Sequence, residues 1–597
     1  MPPDEPTATY RTDDYTHDAP DGTDLAIRVF RPTTAEPPLP VLLQRTPYGR
    51  PETPAGLGVA VRAIDAGYAV AYEDTRGRGD SGGAFEPWIH EATDGAATVE
   101  WLSDRPWSTG RVGMYGGSSP GQVQVFAALE RPDGLAAIAP MFAPSDLHRA
   151  DFFQDGVMNA QATLTWSFDA IAADTVDRLH DAGRLDDDTA AAAHEAIEDA
   201  TDDLLATATT RPLIDLPASV FADVTLPADV TPTALAPHWE AWLSRPTYDE
   251  FWRSFDPEPD YDRIDVPGLH VTGWYELCQS GTLATYRGLR DRSSAPQHLI
   301  VGPWTHGNTS SEVGELDFGP GASAAAYGVW ETHLAFFETY VRGRPRPPFD
   351  DGRLVETFRT EIDGGRWERH GDWPPEDAER DRWFLRSSGT AATNGGRLTR
   401  DRPPKFESPD RWVHDPSDPV PTRGGPLCCG DVDAGPYDRR GIERRDDVCT
   451  YTTPPLAAPV TLAGPVQVDL TLRTDAPDTD VVATLVHLSD DGAYGLTSGV
   501  RRVRYRRGRD REVPVPDGPI RVAVDMWDAH HRVPAGDRLR LDVASSDAPR
   551  FDPHPGTVRP WEATDDELRS AEQTLFHEPD RESALIVTRR EAGYRSR

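Results

Sequence analysis

The sequence predicts an α/β protein: a mostly parallel sheet with helices on its faces, a helical insertion, and an all-β region toward the C-terminus. Three observations carry this. Up to about residue 145, short apolar runs alternate with helical stretches, the rhythm of parallel strands joined by right-handed crossovers. From 146 to 245 the chain becomes rich in Ala, Asp and Glu with spaced Leu and Ile, and strong strand signals disappear. Beyond the Pro/Arg stretch 342–348, helical signals nearly vanish and short alternating runs follow, separated by Gly, Pro and Asp turns.

In chain order, Val41-Leu42-Leu43, residues 68–72, 112–115 and 136–139 read as short buried strands, with a helical stretch such as 95–102 between them. Residues 174–205 carry an amphipathic helical pattern. Inserted between earlier and later strands of one sheet, this segment would lie over the sheet edge where ligands bind, as a cap. Trp166 and Trp239 are its candidate pocket aromatics, with core packing as the alternative for each. The strand pattern resumes with residues 267–276, continues through a crossover helix at 282–289, and ends in the strand 297–306. Runs at 466–472, 481–486, 520–524 and 538–543 then alternate as sandwich strands do. A chain of 597 residues is too long for one core. We therefore expect 1–145 and 246–350 to be the two parts of the core, 146–245 the helical cap, and 351–597 the C-terminal β domain.

The most informative segment is Gly116-Gly117-Ser118-Ser119-Pro120-Gly121, between a strand-like and a helix-like run. A glycine-flanked Ser on a sharp strand-to-helix turn is the nucleophile elbow of α/β-hydrolases. A literal G-x-S-x-G match would name Ser119. The oxyanion hole, however, uses the backbone N–H of the residue after the nucleophile. After Ser119 comes Pro120, which has no N–H, whereas after Ser118 comes Ser119, which has one. Ser118 is therefore the expected nucleophile and Ser119 the backbone oxyanion donor. Pro120 falls in the first helical turn, where a missing N–H is harmless.

A triad needs an acid and a base in the order Ser, Asp or Glu, His. Glu276 follows the first of the later strands and His306 the second. In a parallel sheet both strand ends lie on one edge. His306 would take the Ser118 proton, and Glu276 would fix the imidazole tautomer and stabilise the imidazolium.

Five segments together resemble the cocaine esterase and X-Pro dipeptidyl-peptidase (CocE/NonD, peptidase S15) superfamily of serine hydrolases. They are Arg45-Thr46-Pro47-Tyr48-Gly49, residues 74–83 (DTRGRGDSGG), residues 113–121, Gly273-Trp274-Tyr275, and Gly302-Pro303-Trp304-Thr305-His306. The resemblance implies Ser118, Glu276 and His306 as triad, Tyr48 as the second oxyanion donor through its hydroxyl, and a jelly-roll fold for the C-terminal domain. It implies cleavage of an ester or amide through an acyl-enzyme, with no metal or organic cofactor. The chain departs from the family twice: Glu276 stands where Asp is usual, and Ser119 where an aromatic is usual. The alternative is an inactive hydrolase fold whose β domain binds glycans.

Formal net charge is −38, and of 61 basic residues only Lys405 is a lysine. Acidic residues are spread along the chain. Such a surface repels itself in dilute buffer, whereas at molar salt the Debye length falls to about 3 Å. The composition points to a halophilic protein, and it disfavours nucleic acid and anionic membranes as partners. A small ester or short peptide substrate is expected, and a homo-oligomer is compatible with the sequence. The first residues lack a basic and apolar leader pattern, no apolar run reaches membrane-span length, and a cytoplasmic location is expected. Four cysteines make no disulfide framework; Cys428 and Cys429 are adjacent, Cys278 and Cys449 stand apart, and all are expected as small buried apolar residues.

Overall fold

The computed structural model describes residues 6–54, 58–350, 352–404, 407–429 and 432–590. The N-terminal residues on which the leader argument rests lie outside these.

The chain opens with β1 (Tyr10–Asp18) and β2 (Asp24–Pro32), an antiparallel hairpin. The expected strands begin only at Val41. β1 escapes that reading because it is a polar edge strand, with most of its side chains wholly or partly in solvent. The expected strands follow as β3 (Leu39–Thr46), β4 (Ala69–Asp74), β5 (Ser108–Gly117) and β6 (Leu135–Met141), with helices α1 (Gly58–Asp65), α2 (Glu91–Ser103) and α3 (Ser119–Leu129) between them. After the insertion come β7 (Gly268–Tyr275), α4 (Gln279–Arg292) and β8 (Gln297–Thr305), then α5 (Val329–Tyr340). Pairing gives the order β1-β2-β4-β3-β5-β6-β7-β8, parallel from β4 onward.

The period-two alternation of the strands sets the two faces. Val41 and Leu43 pack under α2 and α3 with Val99, Leu102, Val125 and Phe126, whereas Leu42 packs with Ile64 of α1 and Phe336 and Phe337 of α5. Both faces are thus covered, which is why these strands read as continuous apolar runs.

Between β6 and β7 the chain is mainly helical. Ala160–Thr165 runs through a π-helical segment, Trp166–Ala172, into Ala173–Asp181; Asp187–Asp202 and Leu204–Thr209 follow. Asp186 and Asp203 cap the last two by accepting from the backbone N–H groups of Thr189 and Ala206. The apolar side of these helices joins the core on the α2/α3 face through Phe168, Ile171 and Ile197, and Trp239 and Trp242 of the later helix His238–Leu243 join it too.

The sheet does not stop at the Pro/Arg stretch. β9 (Val355–Glu361) pairs parallel with β8, and β10 (Gly364–Arg369) returns antiparallel beside it. Beyond them the described residues are all-β apart from short 3₁₀ turns. Val460–Thr474 is flanked by Ile520–Val533 and Ala584–Arg590, and Asp480–Leu488 by Ala493–Arg502 and Arg538–Ala544, all antiparallel. Their inward residues, among them Val468, Leu470, Val524, Leu485 and Leu541, share one core. No helix among the described residues is long and apolar enough to cross a membrane.

Candidate active site

Ser118 joins β5 to α3 with φ 63° and ψ −132°, a conformation that L-residues rarely adopt. Strain of this kind, about 1–3 kcal/mol, persists only where the surroundings enforce it. Here the Ser118 N–H donates to Met141 O (2.9 Å), and its carbonyl accepts from the N–H of Gly121 and Gln122. Two glycines make the turn sterically feasible. Gly116 has φ +144°, and a Cβ there would stand 2.7 Å from Pro120 Cβ; one on Gly121 would stand 2.9 Å from Ala143 Cβ and 3.0 Å from Met141 O. Ser119 is the first residue of α3, so its N–H belongs to the helix end that has no partner within the helix. Pro120 sits in the first turn.

Glu276 and His306 are brought together by register. β7 and β8 are parallel neighbours with Tyr275 opposite Thr305, and each candidate residue is the next one along. His306 Nδ1 lies 2.6 Å from Glu276 Oε1, and Thr272 Oγ1 donates to Oε2 at 3.0 Å. Glu276 is fully buried. Burial alone would pull the imidazole pKa of His306 down, but the hydrogen bond and charge of Glu276 outweigh it and carry the pKa up to about 8. With Nδ1 engaged, Nε2 is the nitrogen left for proton transfer.

Tyr48 lies just past the end of β3. It is 47% exposed, yet its hydroxyl accepts from Trp166 Nε1 at 3.1 Å. An indole N–H only donates, so the phenolic proton remains free for another acceptor. Burial around the hydroxyl holds the phenol above its usual range, hence protonated. Arg78, from the 74–83 motif, fixes this loop. Its Nε donates to Pro47 O (2.8 Å), its NH2 nitrogen to Ala170 O (2.7 Å), and its NH1 nitrogen lies 2.9 Å from Asp174. One buried guanidinium therefore ties the Tyr48 loop to the π-helical segment that carries Trp166. Arg45, also buried, binds Glu73 (2.6 Å) and Glu91 (2.5 Å) beneath the same strand end.

Tyr48, Ser118, Ser119 and His306 all line one cavity of about 280 Å³. Its walls are mostly apolar: Trp88, Pro144, Phe152, Trp166 and Leu277. Trp166 stacks on Trp88 with centroids 5.1 Å apart and meets Phe152 at the same distance. Of the two tryptophans singled out in the sequence, Trp166 is thus a pocket wall. Trp239 is core: fully buried, with its Nε1 donating to Leu213 O.

The structure adds wall residues that no local pattern signalled. Asp151 is buried, accepts from Cys278 Sγ at 3.7 Å, and burial pushes its carboxyl up to about 7. Cys278, Cys428 and Cys429 also line the cavity. Cys278, Cys428 and Cys449 are buried as expected, but Cys429 corrects that expectation: it is exposed, with its backbone in the left-handed region at φ 66°. Ligand atoms of Glu276, Cys278 and His306 lie within 4.8 Å of one another and could converge on a cation. Glu276 and His306 already hold each other, however, and burial drives the Cys278 thiol well above its ordinary range, which disfavours the thiolate a metal needs.

Residues 21–308 match the sequence profile of the X-Pro dipeptidyl-peptidase (S15) family, and residues 354–586 match that of the X-Pro dipeptidyl-peptidase C-terminal non-catalytic domain. Cocaine esterase of Rhodococcus sp. (strain MB1 Bresler) is 33% identical over 552 residues, covering 90% of this chain and 91% of that protein. An aminopeptidase from a marine sediment archaeon, Thaumarchaeota archaeon, shares the fold at TM-score 0.79 and 21% identity, over 98% of this chain and 97% of that one. An α-amino acid ester hydrolase shares it at TM-score 0.77 and 20% identity, over 99% and 98%.

Proposed function

The chain belongs to the X-Pro dipeptidyl-peptidase (S15) family and is a serine hydrolase, and from that premise we propose how its residues divide the work. Ser118 Oγ attacks the substrate carbonyl while His306 Nε2 takes its proton. Glu276 accepts the Nδ1–H and stabilises the imidazolium. The oxyanion accepts from Ser119 N–H and Tyr48 O–H, donors aimed at charge that exists only along the reaction path. His306 then protonates the leaving group, and water attacks the acyl-enzyme by the same route.

The observation that carries this reading is the strained Ser118 turn sharing one cavity with a His306 whose Nδ1 is held 2.6 Å from a buried carboxylate. The cavity's size and apolar walls support an ester or amide with a compact, largely apolar acyl group. A second reading, an acyl group bearing an amine, is favoured by Asp151, a buried carboxylate on the wall that could pair an ammonium. It also accords with the aminopeptidase and amino acid ester hydrolase among the structural neighbours. The division into core, cap (146–245) and C-terminal β domain belongs to this proposal, with the cap forming the Trp166 wall. So does activity at high salt, supported by the net charge of −38.

The test is active-site labelling with a fluorophosphonate in molar KCl, on wild type, Ser118→Ala and Ser119→Ala. We expect label on wild type and Ser119→Ala and none on folded Ser118→Ala. Label that survives Ser118→Ala and vanishes in Ser119→Ala would overturn the assignment. In dilute buffer, wild-type labelling should fade if salt screening maintains the fold; undiminished labelling there argues against the high-salt reading.

A further inference from the structure

The cavity holds chemistry that acyl transfer does not use. Cys428 Sγ and Cys429 Sγ are 2.7 Å apart on its wall, and neither is in a disulfide. Their backbone is clamped by one side chain: Gln161 Nε2 donates to the carbonyls of Cys428 and Cys429, and Gln161 Oε1 accepts from the Cys428 N–H at 3.2 Å. The pair is therefore a dithiol held in place from both sides of the Gln161 amide. Cys428 packs inward against Ala162, Leu277 and Cys278, whereas Cys429, with φ 66°, is exposed.

The two thiols differ electronically. The Cys428 thiol hydrogen-bonds to Cys429 sulfur and, with the nearby charge of His306, brings the Cys429 thiol down to about 7 against the desolvating effect of the cavity wall. The same hydrogen bond, followed by burial, pushes the Cys428 thiol well up. One sulfur is thus ready to attack while its neighbour retains a proton to give up.

We propose that Cys428 and Cys429 form a chelating site for thiophilic trivalent arsenicals inside the catalytic cavity. Two thiols condense with R–As(OH)2: two As–S bonds form, two As–O bonds break, and each thiol proton leaves with a hydroxide as water. Arsenic stays trivalent, so no oxidant or reductant takes part. The chelate would occupy the acyl space of the about 280 Å³ cavity and shut Ser118 off from substrate. That blocking effect rests on the assignment of the cavity as catalytic, whereas the binding does not.

The probe is phenylarsine oxide, applied to wild type, Cys428→Ala, Cys429→Ser and Cys278→Ala. Binding is read by intact mass and function by ester hydrolysis. We expect one equivalent on wild type and on Cys278→Ala, resistant to a monothiol and released by 2,3-dimercaptopropanol. Hydrolysis should fall in proportion to the adduct and return with the dithiol. Cys428→Ala and Cys429→Ser should lose dithiol-specific retention. No adduct on active wild type overturns the proposal, as does an adduct that a monothiol strips as readily as a dithiol. Neither reading requires a variant to fold. A full adduct with undiminished hydrolysis overturns the placement of the site in the catalytic cavity, while leaving the dithiol itself demonstrated by mass.

Discussion

Replacing Glu276 by Gln isolates the charge of the proposed triad acid. In the wild type the hydrogen bond and charge of Glu276 carry the His306 imidazole up to about 8, against 6.5 for an ordinary imidazole. That difference corresponds to about 2 kcal/mol of net preference for imidazolium, or about 30-fold in proton affinity. The local hydrogen bonds decide what else is lost. Glu276 Oε1 accepts from His306 and Oε2 accepts from Thr272 Oγ1. A Gln can keep Oε1 on His306 and turn its NH2 toward the Thr272 hydroxyl, which can also accept. In that orientation tautomer and ring position survive, and the loss is the charge term, at least about 30-fold in kcat/KM because burial already offsets part of it. The flipped amide would present NH2 to Nδ1 and force the wrong tautomer, a loss of about 10⁴-fold in the serine-protease precedent. We therefore expect a loss between about 30-fold and 10⁴-fold. The pH profile gives the sharper test. The base must be neutral, so wild-type kcat/KM should rise with pH through about 8. In Glu276→Gln, burial acts on His306 without the opposing carboxylate, and the acid limb should move below 6.5, the ordinary value. Hydrolysis of a chromogenic ester across that range, in molar KCl, reads both quantities. An acid limb still near 8 with a loss of only about threefold would refute the role assigned to Glu276.

Two further predictions concern the pocket. Tyr48→Phe keeps the ring and removes the O–H, and should lower kcat about 10²–10³-fold with little change in KM, as loss of one oxyanion donor does; unchanged kcat in a variant with wild-type thermal stability would remove Tyr48 from the oxyanion hole. Asp151→Asn should raise KM for an amino-acyl ester while leaving the matching des-amino ester unaffected, and equal effects on both would show that Asp151 pairs no ammonium.

How far the sequence speaks depends on whether the determining contact is local. The central strands were legible because both faces are buried and Leu42 and its neighbours leave no polar gap. β1 was not, because an edge strand can be polar and still be held by its ladder to β2. The elbow turn was legible from its glycines, and the preference for Ser118 over Ser119 rests on an equally local fact, that Pro120 lacks an N–H whatever the tertiary structure. Asp151 had no such mark. It is one acid among 99 Asp and Glu residues, and only packing distinguishes it. Cys429 likewise differs from Cys428 by a backbone angle that no composition argument supplies.

The dispersed family motifs have a single geometric origin. Tyr48, Ser118, Glu276 and His306 follow the C-terminal ends of β3, β5, β7 and β8, and Arg78 follows β4. The ladders fix these strand ends relative to one another, so each motif needs to encode only the last strand residues and the turn beyond them. This also explains how Glu can stand where the family usually has Asp. The register pairs Tyr275 with Thr305 and leaves position 276 outside the β7 ladder, so the extra methylene can be absorbed by the turn leading into α4. The carboxylate remains 2.6 Å from His306 and is braced by Thr272 of β7 itself. A shorter Asp on this same turn would have to move both partners to restore those contacts.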